Sequence, residues 1–196
     1  MENRALRQWL LLAYKVPQEP TRIRTYVWRQ VKALGCLHLQ QAVWLLPKTA
    51  QAEAELQKLS DKIQEMGGES SLLSTTSPSL AWEERTIEGF NRARGEEYAE
   101  VVENEERFED EIRRETRKEK FTFAELEDMD ADWEKLRKWQ GRVAARDFFE
   151  AAGRQEAEAR LAEGEKMLAG FNRRVYEHEG VQESQDDNDA EANPDA

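Results

Sequence analysis

Residues 9–47, WLLLAYKVPQEPTRIRTYVWRQVKALGCLHLQQAVWLLP, decide the fold. Trp9-Leu10-Leu11-Leu12-Ala13-Tyr14-Lys15-Val16 is a nearly continuous apolar run, the pattern of a strand covered on both faces. Pro17 and Pro20 end it, because proline cannot donate to a strand ladder. Thr21 is the expected N-cap of the helix that follows. Ile23, Val27, Val31 and Leu34 recur at spacings of four, four and three, one buried helical face, and Gly35 is placed to end the helix. Leu37-His38-Leu39 alternates like a half-exposed strand, and Ala42-Val43-Trp44-Leu45-Leu46 is a second apolar run stopped by Pro47. The intervening Gln40-Gln41 lacks the Gly or Asn of a tight hairpin turn.

Working outward, Thr49 is set to cap a second helix with Ala52, Leu56, Leu59, Ile63 and Met66 on one face, ended by Gly67-Gly68. Leu72-Leu73 begin a weak fourth strand. The order βαββαβ is the ferredoxin-like arrangement over residues 1–78. In it the first and third strands are central, and here those two are the apolar ones. A winged helix, with residues 37–46 as the wing, is the alternative, but it needs a second helix before the hairpin that the sequence does not offer.

From Ser79 the pattern turns helical. Ile87, Phe90, Tyr98, Val101, Phe108 and Ile112 lie on one stripe interrupted by Arg94 and Glu105, two polar positions expected to pair with charges on a neighbouring helix. Thr122-Phe-Ala-Glu125 is a capping box, followed by Leu126, Met129, Trp133, Leu136 and Val143. Asp147-Phe148-Phe149 with Gly153 reads as a bend, and Ala157, Leu161, Leu168, Phe171 and Val175 form a last stripe. The expected class is therefore α+β: a ferredoxin-like domain over 1–78, a three-segment antiparallel helical annex over 79–178, and a disordered acidic tail over 179–196.

Net charge is −12, but residues 1–78 hold 10 Lys and Arg against 7 Asp and Glu, while the remainder is strongly acidic. One cysteine, Cys36, excludes an internal disulfide and suits a reducing compartment. With no apolar run near the roughly 20 residues of a spanning helix, a cytoplasmic protein with no membrane association is expected.

Catalytic machinery is not found. His38 and His178 lie in different halves, no Cys or His pair has zinc spacing, and no phosphate loop or nucleophile elbow occurs. Cys36 reads as a small buried hydrophobe. The carboxylates Glu103, Glu105, Glu106, Glu109, Asp110 and Glu111 read as a solvated helix face. The reading is of a non-enzyme with no metal and no cofactor. The suggestive feature is the first helix. Arg22, Thr25, Arg29 and Lys32 are spaced three, four and three, a polar stripe opposite the buried face, with Arg24 adding local charge. Such a row of long cationic donors suits phosphates.

Three blocks, Trp9–Pro17, Val27–Gly35 and Gln41–Pro47, together with Glu115–Leu126 and Ala145–Phe149, resemble the N-terminal domain of the ChrB chromate-resistance regulators, over residues 8–178. The resemblance implies a transcriptional regulator acting on operator DNA in the bacterial cytoplasm. The further C-terminal domain of that family is not expected here, where the acidic stretch stands. The core is also similar to the ferredoxin-like domains of CRISPR-adaptation nucleases and PaaX-type repressors. The nuclease branch places a metal-binding aspartate at the end of the first strand, and this chain has Tyr14-Lys15-Val16 there, so nuclease activity is not expected. Two functions are carried forward. One is a homodimer binding DNA through Arg22, Arg24, Arg29 and Lys32. The other is a non-enzymatic interaction module whose helical annex docks a partner protein.

Overall fold

The computed structural model describes residues 6–180, so the tail expected from residue 179 falls, from 181 onward, outside the described residues. The order is β1 (Gln8–Lys15), α1 (Thr21–Ala33), β2 (Leu37–Gln40), β3 (Val43–Pro47), α2 (Ala50–Glu65), β4 (Glu69–Thr76), α3 (Leu80–Arg117), α4 (Phe123–Ala144) and α5 (Arg154–His178). The four strands form one antiparallel sheet in the order β2-β3-β1-β4, with the apolar strands central as the ferredoxin-like reading requires. β4 is longer than its composition promised, pairing with β1 from Glu69 to Thr76. Among the described residues no helix is long and apolar enough to cross a membrane.

Contacts divide the chain into two units. One comprises residues 1–99 and 141–155, the other 100–140 and 156–196.

In the first unit the alternation of β1 sends side chains to both faces. Leu10 and Leu12, with Trp44 and Leu46, pack against Val27 and Val31 of α1 and Leu56, Leu59 and Ile63 of α2. Trp9 and Leu45 face the other way, against Phe90, with Leu11, Leu37, Trp82, Ile87 and Phe149 at the margin. Trp9 stacks on Phe90 at 5.8 Å and meets Trp82 edge-on at 6.0 Å, a geometry aromatic pairs favour. Both faces are thus covered, the condition under which a strand reads as an unbroken apolar run.

Helix ends follow their capping chemistry, with one correction. The N-cap of α1 is Pro20, whose side chain bonds nothing, and Thr21 is already helical. Thr21 is placed too late because proline, preset near the extended-to-helix junction and without an N–H to lose, takes the boundary. At the other end Gly35 adopts φ +75°, with Cys36 N–H bonded to Val31 O and Gly35 N–H to Lys32 O. This is a Schellman motif, and Gly67-Gly68 repeat it after α2. Thr49 caps α2 as expected, its Oγ1 accepting from Ala52 N–H at 3.0 Å. In the hairpin, Gln41 takes the left-handed φ of +45° that Gly or Asn normally fills, and its carbonyl oxygen is 2.6 Å from His38 Nε2.

The passage from β4 into α3 turns on Glu83. This carboxylate is 1% exposed and accepts from Ser77 Oγ at 2.8 Å and from Arg7 N–H at 2.7 Å, while Ser77 Oγ itself accepts from the Trp9 indole N–H at 2.8 Å. A second buried carboxylate, Asp147, builds the bend before α5 by accepting from the N–H groups of Phe149 and Ala151 and from Tyr98 Oη.

In the second unit Phe108 and Ile112 of α3, Met129 and Trp133 of α4, and Leu168, Phe171 and Val175 of α5 form one core. Gly164 admits the Trp133 ring, since a Cβ there would lie 2.8 Å from Trp133 Cζ3. Two expectations are corrected. Glu109 is not solvated but buried, its charge met by Arg113 at 2.8 Å and by Arg160 of α5 at 3.4 Å. Glu105 is buried, yet neither of its oxygens finds a hydrogen-bond partner. Burial, with Glu109 beside it, pushes its carboxyl up to about 8 against the pull of Arg160.

Replacing Glu83 with Gln is expected to cost about 2 kcal/mol of unfolding free energy with an unchanged m-value, because charge-assisted bonds to Ser77 and Arg7 weaken together. Glu105 gives a pH signature. The unfolded chain loses this proton near its ordinary carboxyl value, whereas the native state holds it to about 8. Stability from this group therefore falls as pH rises through that window. Glu105→Gln should flatten the decline in thermal midpoint between pH 5 and pH 8.

Candidate functional site

The sequence of α1, TRIRTYVWRQVKA, contains four cations and no acid. Val27 and Val31 are buried, which by helical geometry turns Arg22, Thr25, Arg29 and Lys32 away from the core as one row. Arg22, Arg24, Arg29 and Lys32 are all exposed. Among the described residues none of the four side chains is joined to an acid. This contrasts with α3, where Arg107, Arg113 and Arg114 each meet an acid three or four residues away. The Thr25 hydroxyl donates to Thr21 O at 3.3 Å and is spent on its own helix.

Two clefts flank this helix. One of about 400 Å³ is bordered by Lys32, Trp28, Tyr14, His38 and Trp44. The other, of about 570 Å³, is bordered by Arg24, Trp28, Tyr14 and Lys15. The structure thus brings Arg24 and Lys32 to the two sides of Trp28, while Arg22 and Arg29 lie on the outer row. Trp28 is 52% exposed and Tyr26 39%, so two aromatic rings are interleaved with four cations. Neither aromatic was singled out from the sequence. The available signal was spacing, since Trp28 falls one residue off the 23-27-31 apolar series, of which Val27 and Val31 are buried.

The far end of α1 is held from the loop after α4. Arg146 donates to Lys32 O at 3.3 Å, a cation on the carbonyl end of the helix dipole, and pairs with Glu97 at 2.6 Å. Glu97 also holds Arg94, which is 4% exposed, at 2.7 Å. Arg94 therefore finds its acid on its own helix, not on a neighbouring one as expected, and shares that acid with the cation Arg146. Burial pulls Arg146 below its ordinary value against the support of Glu97. Gly35 fits only because it lacks a side chain, a Cβ there falling 2.8 Å from Arg146 Cβ.

The remaining candidates are structural. Cys36 lies in the core, and burial pushes its thiol up to about 12, far from a reactive thiolate. The His38 ring packs on Trp44 at 4.8 Å, and His178 ends α5 beside Phe121. Among the described residues no three His, Cys, Asp or Glu gather as a metal site. The sheet face opposite α1 and α2 is covered by Phe90 and its neighbours, which closes the stacking platform that open four-stranded sheets offer to nucleic acid.

The family described as Protein ChrB, N-terminal, matches residues 24–182. No curated protein and no solved structure matches.

Removing Glu97 leaves two guanidinium groups without their shared acid. Glu97→Ala is expected to destabilise the fold by about 3 kcal/mol in denaturant unfolding, with Glu97→Gln recovering part of the loss.

Proposed function

The chain belongs to the ChrB N-terminal family, a module related to chromate-resistance regulators, and on that premise we propose that it binds operator DNA through the basic, aromatic face of α1. The observation that carries this reading is the set of four exposed cations, Arg22, Arg24, Arg29 and Lys32, unpaired among the described residues, on a helix without a single acid in a chain of net charge −12. At physiological ionic strength the Debye length is about 8 Å, so a phosphate docked on α1 responds mainly to charges within about that range, and net charge alone does not forbid the contact. Arg22 and Arg29 supply the outer row of phosphate contacts, and Arg24 and Lys32 the two flanks beside Trp28. Trp28 adds a flat surface against sugars or an unstacked base, with cationic groups on either side. The reading is of a non-catalytic, cytoplasmic regulator, and the covered sheet face supports α1 over the sheet as the contact surface.

Counted per subunit throughout, four phosphate contacts give a slope of log affinity against log salt of about −3.6, at about −0.9 per contact. Fluorescence anisotropy with the DNA upstream of its own coding sequence should show affinity falling by about two orders of magnitude between 50 and 200 mM salt. The triple variant Arg22→Ala, Arg29→Ala, Lys32→Ala should reduce the slope to about −0.9, the value for one remaining contact. An unchanged slope in the triple variant removes α1 as the contact surface. Absence of saturable binding by the native chain removes DNA as the ligand.

A further inference from the structure

The two edges of the sheet are unlike. β2 is four residues long and its register breaks between His38 and Gln40, both of which blunt an edge against further pairing. β4 has neither protection. Its eight residues, ESSLLSTT, pair with β1 in one unbroken register and contain no proline, no lysine and one charge, Glu69.

The direction of its free groups follows from the ladder. Ser77 N–H donates to Arg7 O, extending the β1–β4 register, so odd-numbered residues of β4 point their backbone groups at β1. On the other side of β1, Lys48 N–H donates to Gln8 O and Tyr14 N–H to Ala42 O, which confirms that even-numbered residues of β1 serve β3. Ser70, Leu72, Ser74 and Thr76 therefore direct their N–H and C=O groups outward, and no backbone partner meets them among the described residues. Leu73, between them, is 56% exposed, the most exposed of the large hydrophobic side chains described.

We propose that a second copy of this chain occupies this edge, β4 pairing antiparallel with β4 about a two-fold axis at Leu73. That register sets Leu72 against Ser74 and Ser70 against Thr76 of the second copy as hydrogen-bonded pairs, each using groups already turned outward. It sets Leu73 on Leu73 in the close, non-hydrogen-bonded pair, and Ser71 against Thr75. Charge supports a copy as the occupant. Two chains of net charge −12 repel over most of their surface, yet no like charges face each other here, because Glu69 falls beyond the end of the second β4. Residues directly opposite in a ladder share a face, so the two-fold axis is perpendicular to the sheet. Both copies then carry α1 on the same side of one continuous sheet, as two half-sites on one duplex require. The dimer itself does not depend on DNA.

Light scattering and sedimentation equilibrium of the full chain at tens of micromolar, without DNA, should return twice the chain mass of 22.8 kDa. Ser74→Pro deletes an N–H that the β1 ladder does not use, and Leu73→Lys sets like charges across the axis. Each should return the mass to 22.8 kDa while circular dichroism keeps the native spectrum. Leu73→Cys should cross-link to a covalent dimer on mild oxidation, whereas Ser71→Cys, paired with Thr75 rather than itself, should not. A monomeric native chain, a dimer that survives both Ser74→Pro and Leu73→Lys, or equal cross-linking at positions 71 and 73 would overturn the proposal. The salt dependence of DNA binding by α1 is read separately, so failure of one is distinguishable from failure of the other.

Discussion

The buried carboxylate of Glu83 decides how the first unit closes. It accepts from the Arg7 main chain and the Ser77 hydroxyl, while Trp9 donates its indole N–H to that same hydroxyl. The start of β1, the end of β4 and the first turn of α3 are thereby tied at one point. A carboxylate in the first turn of a helix is also favoured by the helix dipole, so the burial of its charge is offset from two directions. Because α3 leaves the sheet from this knot, Phe90 two turns later lies on Trp9, and the sheet face that ferredoxin-like domains often leave open is filled. The location of any ligand surface on this unit is a consequence of that closure.

The sheet was legible in the sequence because its central strands advertise double coverage and its helices advertise their ends. Gly35 and Gly67 take a positive φ, a Cβ at Gly68 would meet Lys15 O at 2.8 Å, and Thr49 supplies the oxygen that caps α2. Thr21 misled because a capping residue and a proline stood side by side and the proline took the boundary. The carboxylates of α3 were less legible. One-dimensional charge density cannot distinguish Glu106, half in water, from the buried Glu109, since both meet Arg160, a cation far along the chain, and only the packed fold sets which of the two is buried. The same non-locality hid the role of Glu97, which two arginines distant in sequence share.

Of the site, the cationic row was readable from spacing alone, and the aromatic component was not. Tryptophan is usually counted toward a core, and six of them in 196 residues encourage that reading. Trp9 and Trp44 obey it, whereas Trp28 lies a helical step away from Val27 and Val31 and is left in water beside Arg24 and Lys32. Exposure of so large an apolar ring costs free energy unless something covers it part of the time, which makes Trp28 more informative than any single arginine.

The α1 cations, unpaired among the described residues, carry the same kind of information. Along α3 and α4 the chain places an acid within a turn of many cations, as at Arg107, Arg113, Lys135 and Arg137. Such pairs add a few tenths of a kcal/mol each to an exposed helix. α1 forgoes all of them and instead sets Arg22 and Arg29 on one face without relief, which opposes helix formation slightly. Its stability comes from burying Val27 and Val31 and from Arg146 at its carbonyl end. A helix held by its inner face and its end, with four exposed cations on its outer face, has the charge that the proposed DNA contact requires.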